Sequence, residues 1–438
     1  MVLRQVGEWV DMELPRLNRA ILHGAAPPGL LADEAREVVL RRLPEVGRLS
    51  EVQAQQLVVR LGFVGASVAR HYQEWTAGGK AAPERAFDEL TVGGDGVPFR
   101  QYFQALADRT GKGHYGRDSY ASLVRWNVGT LQVRHGAEIM AVLPGVFDDG
   151  HIRSYTGTDG EERFFLLVKQ GEAIELAVNE VLDPLTRDGA GLISEDAVAR
   201  VRLAADLLDA LRRLFGDFAA RPPEESMPAE QFLDVFRQFA VHWTAGDIPP
   251  SGALDPEALK RDFLLGIAAG DYEEHVRRLF PALLDTERAA LERAMARPSL
   301  PQQVLASIGS DEAALRSAEP PDLRRLVGGN PALADWYRLL TAHARASGAH
   351  LMLSKKFLFK PQRRRDEAGL GDRPLVSNRA GTTGMSEMFL ERLTRARREH
   401  ALAPLHAALR GERAEKGTDA GVRSHPGAVA PVSVALVG

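Results

Sequence analysis

Apolar residues recur at helical spacing through most of this chain, and few runs alternate as a strand would. A chain patterned this way buries its apolar stripes helix against helix, which predicts an all-α fold. The longest stretch is 333–359, LADWYRLLTAHARASGAHLMLSKKFLF. Residues 51–75 carry Val52, Leu57, Val58, Leu61, Val64 and Val68 on one helical pattern, with Gly62 and Gly65 weakening its middle. Further helices are expected over 31–46 as far as Pro44, and over 118–141, 162–184, 193–219 and 228–242. From 254 to 341 the pattern is helical in pieces, interrupted at Pro281, Pro298, Pro301 and Pro320-Pro321.

With 438 residues the chain is long enough for one large core or for two or three domains. The glycine-rich run 77–97 reads as a connection. The expected division is a small, mostly helical N-terminal domain over 1–130, a large helical domain over 131–410 and a loose tail over 411–438, whose last apolar residues could dock.

Charge and composition exclude several classes. The formal net charge is -4 and no domain is broadly basic, which argues against a nucleic-acid partner. The basic run Arg363 to Arg365, beside Lys355, Lys356 and Lys360, is local. No charge-free apolar stretch reaches the roughly 18 residues that a membrane span needs. The N-terminus has acids at Glu8, Asp11 and Glu13 and no apolar signal core, so a cytoplasmic protein is expected. With no cysteine, metal or redox chemistry must use His, Asp, Glu, Met or Tyr.

Three constellations could carry chemistry. His343 and His350 can share one broad face of the 333–359 helix with Trp336, Leu339, Leu340, Ala346, Leu353 and Phe357. Seven residues separate them, about 10 Å along the axis, so they suit one small metal ion poorly. A single imidazole to a large planar cofactor fits better, with Ala346, Gly348 and Ala349 small enough for a ring to lie close; the alternative is a satisfied core histidine. Arg237, among Phe232, Leu233, Phe236 and Phe239, is either a bidentate carboxylate clamp or an ordinary helix arginine paired with Asp234. Residues 379–390, RAGTTGMSEMFL, offer Thr382, Thr383 and Ser386 for plain helix capping or for holding an anionic or amino-acid ligand. Glu172 and Glu175 read as ordinary helix carboxylates. No Walker, HExxH, GxSxG or Rossmann pattern is present.

The segments SGAHLMLSKKFLF and GTTGMSEMFLERLTRAR together resemble the C-terminal signature of the indoleamine 2,3-dioxygenase family. Upstream, YTGTDGEERFFLLVKQGEA and FLDVFRQFAVHW resemble that family's distal segments, in the expected order. The likeness covers roughly 150–245 and 330–400. It implies a small N-terminal domain, a large all-helical domain holding haem b, and insertion of O2 into tryptophan or a related indole. On this resemblance His350 falls on the proximal iron ligand, with Arg345 and Leu353 beside the haem. Arg237 falls on the arginine that pairs with the substrate carboxylate. Phe164, Phe232 and Leu233 fall on pocket walls, and Thr382, Thr383 and Gly384 on the loop over the substrate. No side chain is assigned as a general acid or base, and the implied assembly is a monomer or homodimer. The chain departs from the pattern at Leu233, at His242 before Trp243, and at Glu161 or Glu162, which replace a serine. TAGDIPPSGALD replaces a glycine- and serine-rich stretch. A changed distal pocket implies a changed substrate or reaction, with mono-oxygenation or peroxide-driven oxidation of another aromatic compound as the alternative. A helical binding protein without turnover is the other class.

Overall fold

The computed structural model describes residues 2–111, 116–187, 189, 191–267, 270–369, 374–381, 383–410 and 430–437. Helices dominate it. The N-terminal part contains α1 (Val2–Glu8), α2 (Leu14–Leu22), α3 (Leu30–Glu34), α4 (Glu51–Trp75) and α5 (Phe99–Arg109). Two long helices follow, α6 (Asp159–Leu182) and α7 (Glu195–Ala220). Shorter ones come next: α8 (Pro256–Leu264), α9 (Tyr272–Leu279), α10 (Asp285–Met295), α11 (Leu300–Ser307), α12 (Glu312–Ser317) and α13 (Pro320–Gly329). The chain then forms α14 (Ala332–Ser354), a wider-wound turn over Lys355–Phe359, α15 (Lys360–Glu367) and α16 (Glu387–Arg398). Among the described residues no helix is long and apolar enough to cross a membrane.

Local chemistry sets the helix starts. Ser50 and Gln53 form a reciprocal capping box on α4. Ser194 caps α7 through the N–H of Ala197, Asp255 caps α8 through those of Glu257 and Ala258, and Ser386 caps α16 through that of Phe389. The mid-helix glycine at 65 has a packing reason. A Cβ there would collide with the indole of Trp243, which is fully buried and ringed by Phe87, Phe99 and Phe103. The helix gives up intrinsic propensity so that a large aromatic ring can lie against its backbone.

The expected helix over 118–141 is corrected. Only Ala121–Arg125 is helical; β3 (Leu131–His135) and β4 (Glu138–Leu143) follow as an antiparallel hairpin. Gly136 closes the turn at φ 60°. Leu131 and Val133, then Ala141 and Leu143, alternate into the core with period two. The third strand, β5 (Val432–Leu436), lies on the other side of β3, with Leu131 opposite both Leu143 and Leu436. The last apolar residues of the tail therefore add a strand. Residues 411–429 of the expected loose tail lie outside the described residues. A second, two-stranded hairpin, β1 (Thr91–Val92) with β2 (Val97–Pro98), sits in the stretch read as a connection.

Two large apolar clusters form the interior, and they do not divide at residue 130. The first joins N-terminal side chains such as Leu14, Leu57 and Phe103 to Phe239, Trp243, Leu259 and Val276 from later in the chain. The second packs α6, α7 and α14 together under the β3–β4–β5 sheet. Lys169 of α6 ties the hairpin region to this stack. Its ammonium is buried and donates to the carbonyls of Arg125, Val128, Gly129 and Pro144 at 2.7, 2.7, 2.8 and 3.1 Å. Burial lowers its pKa to about 7.

Three of the buried histidines contribute to the acid limb of stability. Burial holds His71 down to about 3, and His343 and His400 to about 4. Unfolding returns each to about 6.5. Their folded values are depressed, so the unfolded chain binds more protons between those limits. Their contribution is present above pH 6.5 and lost as pH falls toward 4, by up to about 1.4 kcal/mol per pH unit for each histidine. Urea unfolding at pH 7, 6 and 5 is expected to show a falling midpoint; a flat midpoint would contradict this burial.

Candidate functional site

One cavity gathers most of the residues singled out in the sequence. Its volume is roughly 250 Å³, and it opens toward solvent. A drug-sized ligand site is typically about 300–1,000 Å³, so this space lies at the small end of that scale and is matched to one small molecule. Its walls come from α6, α7, α8, α9, α14, the turns at 232–237 and 357–359, the loop at 381–385 and α16. Along α6 the wall runs from Phe164 to Glu175, about 16 Å of helix.

His350 faces this space from α14. The side chain is exposed, yet protein surrounds it deeply enough that burial lowers its pKa below the ordinary value. Both observations hold because the exposure is to the cavity. The imidazole is therefore favoured in its neutral form, with no hydrogen-bond partner among the described residues. Its neighbour is the ring of Phe215, 5.5 Å away between centroids. Phe215 reaches that position because α6 has glycine at 171, where a Cβ would stand 3.0 Å from the Phe215 ring. Ala346 also lines the cavity, whereas Gly348 and Ala349 are not among its lining residues. Leu353 lines it one turn beyond His350. Arg345 is exposed on a different face of α14 and is not part of the wall.

His343 is a structural histidine. It is fully buried, and its Nε2 lies 3.1 Å from Asp262 Oδ1. Asp262 also receives Tyr272 Oη at 2.6 Å and Arg397 Nε and Nη2 at 3.0 and 2.5 Å. Those donors hold its carboxyl below the ordinary range despite complete burial. Beside this group Arg261 Nη1 lies 2.8 Å from Glu175 Oε1, and Asp255 stands close enough to Glu175 that its own pKa is raised well above the usual value, burial being the larger cause. Glu175, Asp255, Arg261, Asp262, Tyr272 and Arg397 all line the cavity and give it an ionic end.

The other end is aromatic and apolar. Phe164 packs 5.3 Å from both Phe232 and Phe236, and Phe232 lies 6.1 Å from Phe357. Phe164 and Phe232 line the cavity, while Phe165 is turned into the first core against Phe63 and Phe236. Leu233 is fully buried against Leu358 and Phe359 and does not reach the cavity. One helical step separates it from Phe232, and that step points it behind the wall.

Arg237 is the cation of this apolar end. Asp234, its possible partner in sequence, is paired to Arg365 at 2.5 and 2.6 Å. Arg237 Nη2 instead donates to the backbone carbonyls of Ser377, at 2.7 Å, and Ala380. Its Nε is buried without an acceptor among the described residues. Burial alone, with no carboxylate offsetting it, lowers its pKa to about 10. Among the described residues this guanidinium has no counter-carboxylate, and a carboxylate entering the cavity would supply one.

The 379–390 loop contributes in part. Gly381, Thr383 and Met385 line the cavity, and Thr383 Oγ1 is buried without a partner among the described residues. Gly384 takes φ 83°, a conformation suited to glycine, and is not part of the wall. Thr382 lies outside the described residues. Ser386 is a helix cap. Glu161, one of the two acids that the resemblance sets against a serine, accepts from Thr156 N at 3.0 Å and Thr156 Oγ1 at 2.5 Å and braces the start of α6 away from the cavity. His242 binds Asp247 at 2.7 Å, also off the wall.

The ionic end went unread in the sequence. Its members are scattered over α6, α8, α9 and α16, and no spacing rule links them. The one available signal was Glu175 on the apolar face of α6, beside Ile174 and Ala177.

Among the described residues no three His, Cys, Asp or Glu side chains are placed to hold a metal ion on their own. An iron already held by a porphyrin asks the protein for only one axial donor. A neutral imidazole with no partner among the described residues, on the wall of a mostly apolar cavity, has the chemistry of such a donor, so the residues fit the group. No protein-family model matches the chain, and no curated protein matches it.

Proposed function

We propose that the chain is a cytoplasmic haem-dependent dioxygenase acting on tryptophan or a related indole. His350 is the axial ligand and Arg237 the clamp for the substrate carboxylate. The observation that carries this reading is one cavity lined by aromatic side chains, by an imidazole favoured in its neutral form and by a guanidinium, neither of the two having a carboxylate partner among the described residues. The resemblance of the four sequence segments supports it independently. When bound, haem b supplies the activation of O2 that no side chain here can provide.

The chain's own residues bind, orient and exclude water. Phe164 and Phe232 hold the aromatic ring of the substrate by apolar contact. Arg237 fixes its carboxylate, and the Ser377 and Ala380 carbonyls hold the guanidinium in place meanwhile. Gly381, Thr383 and Met385 form the cover on that side and displace water from the ring. Thr383 Oγ1, which has no partner among the described residues, donates to the carboxylate or accepts from the amine.

Arg237→Met tests the clamp. Haem uptake is expected to be unchanged, while tryptophan or another aromatic amino acid should bind about 2–5 kcal/mol more weakly, at least roughly thirtyfold. Arg237→Lys keeps the charge and loses the fork, so it should fall between. Titration of the holoprotein by its visible spectrum measures this, and equal affinity in all three proteins would remove the role. Consumption of O2 with reductant, compared with consumption of peroxide, distinguishes dioxygenation from the peroxide-driven alternative.

A further inference from the structure

Glu175 is an acid that a buried helix face does not need for packing. It is 4% exposed, lies between Ile174 and Leu176 on α6, and turns its carboxylate toward the same cavity as His350. Oε1 meets Arg261 Nη1 at 2.8 Å. Oε2 is buried with no hydrogen-bond donor among the described residues. A buried carboxylate oxygen left without a donor is costly, and a nearby N–H would relieve that cost. In the same cavity His350 has the opposite deficit. A neutral imidazole that gives one nitrogen to a metal retains one N–H, and the His350 ring has no acceptor among the described residues.

We infer that Glu175 is the positioning residue for His350, accepting the imidazole N–H and making the histidine a more electron-rich ligand. The inference rests on His350 being the axial ligand. A carboxylate in this place fixes the ring orientation and raises the basicity of the ligating nitrogen. It also favours the ferric over the ferrous state, by placing negative charge beside the iron. Arg261 tempers the effect by sharing the carboxylate.

The test uses the full chain loaded with haem, and reads the iron–histidine stretching band of the ferrous protein and the ferric/ferrous midpoint potential. Glu175→Gln is expected to lower the stretching frequency and shift the potential positive. Arg261→Gln, which leaves the carboxylate less neutralised, should shift both the other way. Glu175→Asp should return part of the wild-type frequency. Opposite signs for the two partners of one ion pair are not expected from loss of packing alone. If Glu175→Gln does not fold, the double variant Glu175→Gln/Arg261→Gln, which leaves neither charge unpaired, takes its place, with the same lowered frequency expected. Haem uptake through His350 with frequency and potential unchanged in these variants would overturn the role of Glu175 and leave the haem reading standing. Absence of haem uptake by the wild-type chain would overturn both.

Discussion

His350→Ala is expected to give a folded protein that takes up no haem. The side chain projects into a cavity, makes no hydrogen bond among the described residues, and has a single ring neighbour in Phe215. Its removal leaves no buried partner unsatisfied. Alanine is the better helix former by up to about 0.7 kcal/mol. The thermal midpoint should therefore stay within a few degrees of wild type. The absorption spectrum should change completely, because the only bond assigned between chain and iron is gone. Wild type mixed with haem should show a Soret band that shifts on reduction and again with carbon monoxide. The variant should show the spectrum of free haem. Imidazole added from solution should restore the bound spectrum, because the cavity that received the side chain then receives the ligand. An unchanged Soret band in the variant would assign the iron elsewhere. A colourless wild type after haem supplementation would end the proposal.

Asp262→Asn carries the largest expected effect on stability. Asp262 is the only carboxylate to which Arg397 donates among the described residues, and it also accepts from Tyr272. Both charges are buried. Removing one partner strands the other, at a cost of about 3–5 kcal/mol. The damage is directional. Arg397 is at the end of α16, and its bond to Asp262 pins that helix to α8. The loop at 381–385, which forms one wall of the cavity, leads directly into α16. Limited proteolysis of the variant should therefore begin around α16 before the α6–α7–α14 stack opens. The pH dependence has a definite sign. The folded pKa is held below the ordinary carboxylate range, so the wild-type contribution is present above about pH 4 and lost as pH falls below it. The variant should lack that part of the acid limb. The double variant Asp262→Asn/Arg397→Met, which removes the stranded cation, should recover most of the loss. If Asp262→Asn alone costs less than about 1 kcal/mol in urea unfolding, the ion cluster does not hold α16.

Periodicity alone placed α4, α6, α7 and α14 to within a few residues, because each buries one stripe against a neighbour and the stripe is written into the spacing. It failed over 131–143. There the strands owe their existence to pairing, and β5, which completes the sheet, comes from the far end of the chain. The sequence reading, from the residues and then from the resemblance, also named side chains that line the cavity: His350, Arg237, Phe164, Phe232, Leu353 and Thr383. It misplaced Leu233 and Arg345, which differ from true wall residues by a fraction of a helical turn.

What the amino-acid order determined by itself was the helical class, the absence of thiol chemistry and the identity of the imidazole and guanidinium worth following. Packing alone decided which histidine faces open space and which is consumed by Asp262, because two residues on one helix stripe can meet entirely different neighbours. It also assembled Glu175, Arg261, Asp262 and Arg397 into an ionic end, since charges drawn from separate helices interact through distance in space, and sequence separation carries no record of that distance.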